Sequence, residues 1–415
     1  MTLNRLVILG AGHAGFALAA AMRQAGYGGS VTLVGDEPGL PYNRPPLSKA
    51  YLGGTDHEET LHFRPARFFE ENRITLLAPE RALRIDREAF KVELASGRSL
   101  PYDNLVLALG ARNRSLAIPG SELTGIFSLR SAPDAAGLRA ALAGARSAAV
   151  IGAGFVGLEF AATAAARGLA VTVLDAAPRA MSRVVSPETA AAIQRCHESL
   201  GTRFVFNAQI TGFKARDGTA SPGDRVNAVR LADDTAVQAD LVLVGIGAAP
   251  NGELAEACGL EVSNGIVVDN GYRTRDPAIS AIGDCAHGPT THGHARSHRL
   301  ESVQNANDSA RRLAQILTTG ACDAGDPIPW FWSDQGKMKL QIAGLGGPND
   351  ATVTTGSNAD HMTMRFRGGR LICVETINRA GDHMAARRLI ASGIGPSLAE
   401  AQAGACDLKA ALKAA

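Results

Sequence analysis

The sequence predicts an α/β fold with two parallel sheets, each turning from its first strand into a helix through a glycine-rich loop. Two observations predict it. Gly10-Ala11-Gly12-His13-Ala14-Gly15 and Gly152-Ala153-Gly154-Phe155-Val156-Gly157 both spell GxGxxG. Each is framed by an apolar strand before it, then a helix, a second strand and an acidic residue. One such loop holds one dinucleotide, so two loops imply two nucleotides.

The first copy opens with the strand Leu6-Val7-Ile8-Leu9. A helical pattern follows over 16–25 and stops at Gly26, and Val31-Thr32-Leu33-Val34 is the next strand. Asp36 and Glu37 close it, about 20 residues past the last glycine, where a carboxylate accepts hydrogen bonds from a ribose. The glycines let the backbone turn tightly and bring a helix N-terminus to the pyrophosphate, whose charge the unpaired N–H groups stabilise. The second copy repeats the design. Ala149-Val150-Ile151 is its strand, 158–167 its helix, Gly168 its stop, Val171-Thr172-Val173-Leu174 its second strand and Asp175 its acid. These are Rossmann-like dinucleotide-binding units.

Leu105-Val106-Leu107-Ala108-Leu109-Gly110-Ala111 and Leu241-Val242-Leu243-Val244-Gly245-Ile246-Gly247 are matching apolar strands that end in glycine. One precedes the second fingerprint region and the other closes it, as crossing points between domains should. The stretch 399–415 is alanine-rich and is expected to form a surface helix.

Composition bounds the function. The chain has 415 residues, 46% of them hydrophobic, enough for two or three domains with cores of their own. A formal net charge of +2 and no run of like charge argue against a nucleic-acid partner. The longest apolar stretch, 148–158, is too short to span a bilayer, and the first strand starts too early for a leader, so the expected location is the cytoplasm. None of the six cysteines forms a CxxC pair, and none precedes Cys196. That disfavours a metal ribbon, a dithiol motif and a redox cysteine supplied from the N-terminal domain. The histidines around residue 290 match no zinc signature, so no metal is expected.

Four strings are more specific than the fingerprints. They are Leu40-Pro41-Tyr42-Asn43-Arg44-Pro45-Pro46-Leu47-Ser48-Lys49, Thr274 to Cys285, Arg299-Leu300-Glu301-Ser302-Val303-Gln304-Asn305-Ala306, and Pro329-Trp330-Phe331-Trp332-Ser333-Asp334. Together they resemble the oxygenase-coupled NADH-dependent ferredoxin reductases, FAD proteins of the putidaredoxin reductase and biphenyl dioxygenase reductase type. The resemblance covers nearly the whole chain. It implies a glutathione reductase-like arrangement of the two dinucleotide domains plus a smaller α+β C-terminal domain. The FAD domain would comprise 1–112 and 242–322, the NADH domain 113–241 and the C-terminal domain 323–415. Leu109 departs from the family, which usually carries Thr at the crossing.

The resemblance also implies a site. Gly10, Gly12, His13, Ala14, Gly15, Asp36 and Glu37 would hold FAD, with Arg44, Pro45, Lys49, Ala108, Gly110, Arg114 and Arg130. Gly283 and Asp284 would reach the ribityl chain. Glu301, Ser302 and Val303 would start a helix, over 302–313, whose dipole stabilises negative charge on the reduced ring. Gly152, Gly154, Phe155, Val156, Gly157, Asp175 and Arg183 would hold NADH, with Gly245, Ile246 and Gly247. Lys49 would sit near flavin N5 and pair with Glu159, and Trp332 would line the flavin and nicotinamide pocket; these three are the expected catalytic residues.

Hydride would enter from NADH and single electrons would leave to a protein. The expected partner is a [2Fe–2S] ferredoxin serving a cytochrome P450 or a Rieske oxygenase, docking on a basic rim around His294, Arg296, His298, Arg299 and Lys339. The alternatives are a rubredoxin acceptor, or redox signalling of the kind carried out by the related apoptosis-inducing factor. Asp175 bears on the choice of nicotinamide. Its charge repels a 2′-phosphate at about 4 Å by roughly 4 kcal/mol at an effective dielectric of about 20. Arg179 and Arg183 lie just beyond and would offset part of that or stack on the adenine. The expected outcome is a lower KM for NADH than for NADPH in steady-state assays; the reverse order overturns the reading of Asp175.

Overall fold

The computed structural model describes residues 4–216, 221, 223–290, 292, 297–322, 327–404 and 406–414. It comprises two compact units. One is built from Met1–Asn43, Glu59–Arg112 and Ala249–Pro329, the other from Arg44–Glu58, Asn113–Ala248 and Trp330–Ala415.

The first unit is organised on a five-stranded parallel sheet in the order Ile279–Ala281, Asn104–Leu107, Arg5–Leu9, Ser30–Val34, Ile74–Leu77. Its strands are apolar on both faces, as a sheet covered on both sides requires. Leu6, Ile8, Leu33 and Val106 pack on one face against Leu18 and Met22 of helix His13–Gln24 and Leu313 of helix Val303–Thr319. Val7, Leu9, Leu105 and Leu107 pack on the other against Val92, Leu94 and Tyr102 of a small antiparallel sheet region. Asn251 braces the crossing at Leu109 and Gly110. It donates its side-chain amide to the Leu109 carbonyl (2.8 Å) and its backbone N–H to that of Gly110 (3.0 Å).

The second unit repeats the parallel sheet in the order Arg203–Phe206, Ala170–Asp175, Ser147–Ile151, Leu241–Val244, Ile126–Phe127. Helix Phe155–Ala166 packs beside it with Leu158, Phe160 and Ala161 fully buried. The same unit holds an antiparallel sheet in the order Trp330–Gln335, Met338–Gly344, Arg370–Ile377, Asp360–Arg367, Ala351–Ser357, backed by helix Ala380–Ser392.

The elements differ from expectation chiefly at their ends. Both fingerprint helices begin three residues early, at His13 and Phe155, because Gly12 and Gly154 are themselves the N-caps. The helix expected over 302–313 continues to Thr319, where Gly320 at φ +85° ends it. The C-terminal stretch is not one surface helix. Gly404 at φ +99° separates Leu398–Gln402 from Leu408–Ala414, and Leu408 is buried against Phe366 and Leu389.

A buried ionic cluster ties this unit together. The Glu375 carboxylate, fully buried, accepts from the Ser186 N–H (3.0 Å), the Ser186 hydroxyl (2.7 Å) and Arg365 (2.9 Å). Ser186 in turn caps helix Pro187–Glu198. Arg365 also faces the buried Asp350 carboxylate (3.7 Å), so loss of Glu375 costs it the nearer of two carboxylates and leaves the Ser186 N–H and hydroxyl without their acceptor. Glu375→Ala is therefore expected to lower unfolding free energy by about 1–3 kcal/mol in urea melts; a loss below about 1 kcal/mol shows that Asp350 takes over Arg365 and that water satisfies Ser186.

Candidate active site

In the first unit the chain leaves strand Arg5–Leu9 at Gly10, φ +107°, where a side chain would collide with the Ala108 carbonyl. Gly15 lies against the Gly10 carbonyl and Ile8, which lets the helix pack on the strand. Gly12, between them, caps the helix with no side-chain acceptor, and a Cβ there would meet nothing within 4 Å. First-turn N–H groups with no capping side chain and room beside them suit a pyrophosphate. Ala14 is buried below this turn, and a Cβ on Gly283 (φ +71°) would lie 2.9 Å from its methyl group. Gly283 thus brings Asp284, in the 3₁₀ turn Gly283–Cys285, beside the fingerprint helix.

Other expected residues surround this loop. His13 donates Nε2–H to Asn43 (3.0 Å) and meets the Phe63 ring edge-on at 4.9 Å. Glu37 accepts from the Tyr42 hydroxyl, while Asp36 is exposed just past the second strand. Ala108 is buried, and Gly110 has φ +64°. Glu301 pairs with Arg299. Ser302 caps the long helix by accepting from the Asn305 N–H (3.0 Å), and Val303 is its first residue. Cys285, next to Asp284, is fully buried, and burial pushes its thiol up to about 11, so it stays protonated at neutral pH.

The second unit builds its loop the same way. Gly152 at φ +104° faces the Gly245 carbonyl, Gly157 lies against the Gly152 carbonyl, and nothing is within 4 Å of a Cβ on Gly154. Gly245 donates its N–H to Ile151 (2.7 Å), and Ile246 packs on the core beside it. Val156 is 38% exposed, and Phe155 stacks on Phe331 with centroids 6.5 Å apart.

Asp175 does more than the sequence indicated. One carboxylate oxygen accepts from the Ala153 N–H (2.6 Å), inside the fingerprint, and the other from the Ala177 N–H (2.7 Å). The residue expected to read a ribose also ties down the loop. The two arginines differ. Arg179 is spent on the Val185 and Ser182 carbonyls (2.8 and 3.0 Å), so it is not free to offset a 2′-phosphate. Arg183 is exposed, and its guanidinium lies 3.7 Å from where a Cβ on Gly247 would be. Arg114 bonds the Gly247 and Ala248 carbonyls through its N–H and Nε. Arg44 donates to the Arg130 carbonyl (2.7 Å).

The expected ion pair is present in this unit. Lys49 Nζ lies 2.8 Å from Glu159 Oε2, and Glu159 is only 5% exposed. Lys49 follows the 3₁₀ turn Pro45–Ser48 and also donates to the Pro45 carbonyl (3.1 Å). Two hydroxyls complete the carboxylate: Ser48 donates to Oε2 and Ser333 to Oε1 (2.7 Å). Both serines belong to the family-like strings, Ser48 to 40–49 and Ser333 to 329–334, but a lone serine carries no sequence signal for this role. Trp332, half-buried, packs on Trp330 with centroids 5.3 Å apart. Of the expected docking residues, His294 and Arg296 lie outside the described residues. Lys339 is exposed, whereas the Arg299 side chain is 8% exposed and engaged by Glu301 and the Asp284 carbonyl.

Residues 4–310 match the pyridine nucleotide-disulphide oxidoreductase family model, and residues 330–412 match that of the reductase C-terminal domain. The chain belongs to the pyridine nucleotide-disulphide oxidoreductase family. It is 45% identical over 409 residues to rhodocoxin reductase of Rhodococcus erythropolis, covering 98% of this chain and 94% of the relative. Among solved structures it is similar to the ferredoxin reductase for the CYP199A2 system from Rhodopseudomonas palustris (TM-score 0.92, 44% identity, 99% and 100% of the two chains). It is also similar to putidaredoxin reductase in its covalent complex with putidaredoxin (TM-score 0.94, 36% identity, 99% of each chain). The family uses FAD and NAD(H), which the two open glycine cradles accommodate.

Asp175→Asn removes the charge and replaces one of the two accepting oxygens by an NH2 that cannot accept, so one of the two loop bonds is lost with it. A charge-assisted hydrogen bond is worth about 1.5–3 kcal/mol, so the KM for NADH should rise about tenfold while that for NADPH rises less. Equal increases for the two nucleotides would mean that Asp175 serves the loop alone.

Proposed function

We propose that this protein is an NADH-dependent FAD reductase that delivers single electrons to a [2Fe–2S] ferredoxin, which serves a cytochrome P450 or a Rieske oxygenase. The observation that carries the reading is the pair of matched cradles, Gly10–Gly15 and Gly152–Gly157, each opening a helix whose cap leaves the first-turn N–H groups to an anion. Bound FAD supplies a hydride acceptor that can give up its electrons one at a time.

In this reading 1–112 and 242–322 hold FAD, 113–241 hold NADH, and 323–415 form the C-terminal domain. The fingerprint glycines and Asp284 bind FAD, and the capped N-terminus of helix Val303–Thr319 stabilises negative charge on it. Asp175 orients the NADH ribose from a position fixed by two backbone N–H groups. Lys49, held by Glu159, presents a cation to the flavin, and Trp332 walls its pocket. Hydride transfer needs the nicotinamide at reacting distance and no acid or base as such.

No helix among the described residues is long and apolar enough to cross a membrane. The cytoplasm is the location that goes with this reading. The partner would be acidic. Lys337 and Lys339 are exposed beside the tryptophan strand, whereas Arg299 is committed to Glu301. NADH oxidation should turn over rapidly with a [2Fe–2S] ferredoxin and slow as ionic strength rises. Lys339→Glu should lower kcat/KM for the ferredoxin about tenfold at low salt, with flavin reduction by NADH as the internal reference. Faster turnover with rubredoxin, or no acceleration by either protein, overturns the assignment.

A further inference from the structure

Glu159 is the terminus of a longer chain of buried polar side chains, all within one unit. His197, from helix Pro187–Glu198, meets Gln335 Oε1 through Nε2 (2.8 Å). Gln335 Nε2 donates to Ser333 Oγ (3.1 Å), and Ser333 Oγ donates to Glu159 Oε1 (2.7 Å). The other carboxylate oxygen takes Lys49 and Ser48. His197 and Gln335 are each 1% exposed, and Ser333 is fully buried.

The direction of the chain follows from its end. A carboxylate only accepts, so Ser333 must donate to it. The Ser333 lone pairs then take the N–H of the Gln335 amide, which turns the amide oxygen toward His197. His197 must therefore carry its proton on Nε2. Its Nδ1 has no partner among the described residues, and burial lowers the imidazole pKa, so the ring stays neutral. Every dipole in the row thus points its positive end at Glu159, and neighbouring bonds strengthen one another. A packed apolar row would hold the fold equally well or better, since buried polar groups bring a desolvation cost. The chain instead occupies Oε1 from one side, leaving Oε2 to Lys49 and Ser48.

We propose that His197, Gln335 and Ser333 are positioning residues, a one-way hydrogen-bond chain that orients Glu159 and through it holds the Lys49 ammonium at the flavin. The proposal rests on the reading that places Lys49 at that cofactor. Without the chain the carboxylate is free to rotate, the ammonium loosens, and the reduced flavin loses a stabilising cation.

The test measures the two-electron midpoint potential of the FAD-loaded protein, alongside the rate of flavin reduction by NADH. Ser333→Ala should make the potential more negative by the equivalent of about tenfold, close to 30 mV. Gln335→Met, an apolar replacement of similar volume, should shift it the same way by a smaller amount, and Ser333→Thr should restore it. In a Glu159→Gln background Ser333→Ala should add nothing. An unchanged potential in both Ser333→Ala and Gln335→Met overturns the proposal, as does a shift that persists undiminished in that background. Loss of folded, FAD-binding protein in both variants marks the chain as structural and overturns it too. Lys49→Met separates the two levels. If it moves the potential and the Ser333 and Gln335 variants do not, only the chain fails. If it moves neither potential nor rate, the placement of Lys49 at the flavin fails and the proposal falls with it.

Discussion

Two carbonyl oxygens, those of Ala108 and Gly245, stand where a side chain on residue 10 or 152 would have to go. In each unit that close approach sets the path from strand to helix. It demands glycine at the turn, in a backbone conformation that other residues adopt only with strain. It also demands glycine five residues later, at Gly15 and Gly157, where the helix lies on the turn. With both satisfied, the first-turn N–H groups face outward beside an open position at Gly12 or Gly154. The anion site is a by-product of backbone packing, and the side chains around it act by supporting that geometry. Asp175 bonds the loop, and Gly283 admits Asp284 beside the first helix.

Two buried carboxylates set against this apolar frame are each surrounded by donors. Glu159 has Lys49 and two serine hydroxyls, and Glu375 has Arg365 and the Ser186 cap. At an effective dielectric of about 20, opposite charges 2.8 Å apart attract by about 6 kcal/mol, comparable to the several kcal/mol of desolvation that burial brings. Such pairs therefore add little net stability. What they supply is orientation, since each carboxylate can satisfy its donors in few ways. That distinguishes the buried ionic groups from the leucine and valine layers of the sheets, which are tolerant of shape.

Local patterns made much of the fold legible. Strand Arg5–Leu9 and the equivalent strand of the second unit, Ser147–Ile151, are legible as short apolar runs ahead of glycine, and Gly26 and Gly168 mark the helix ends. The helices start three residues ahead of their apolar patterns, because a glycine N-cap carries no capping side chain to mark the start. The C-terminal stretch misled more, since its alanines favour helix throughout while a single φ at Gly404 divides it. Arg179 and Arg299 looked like surface cations and are occupied by carbonyls and a carboxylate from their own neighbourhoods.

The sequence by itself determined the two nucleotide cradles, because a strand, a glycine turn and a helix are contiguous and their spacing is a backbone requirement. It also carried, within recognisable strings, the residues that meet at Glu159 from 48, 49 and 333. Only the tertiary structure decided which oxygen each takes, and that the line continues to Gln335 and His197. Hydrogen bonds between residues more than a hundred positions apart leave no periodic trace in a single chain; they exist only once the sheet and the helices have brought their donors and acceptors into line.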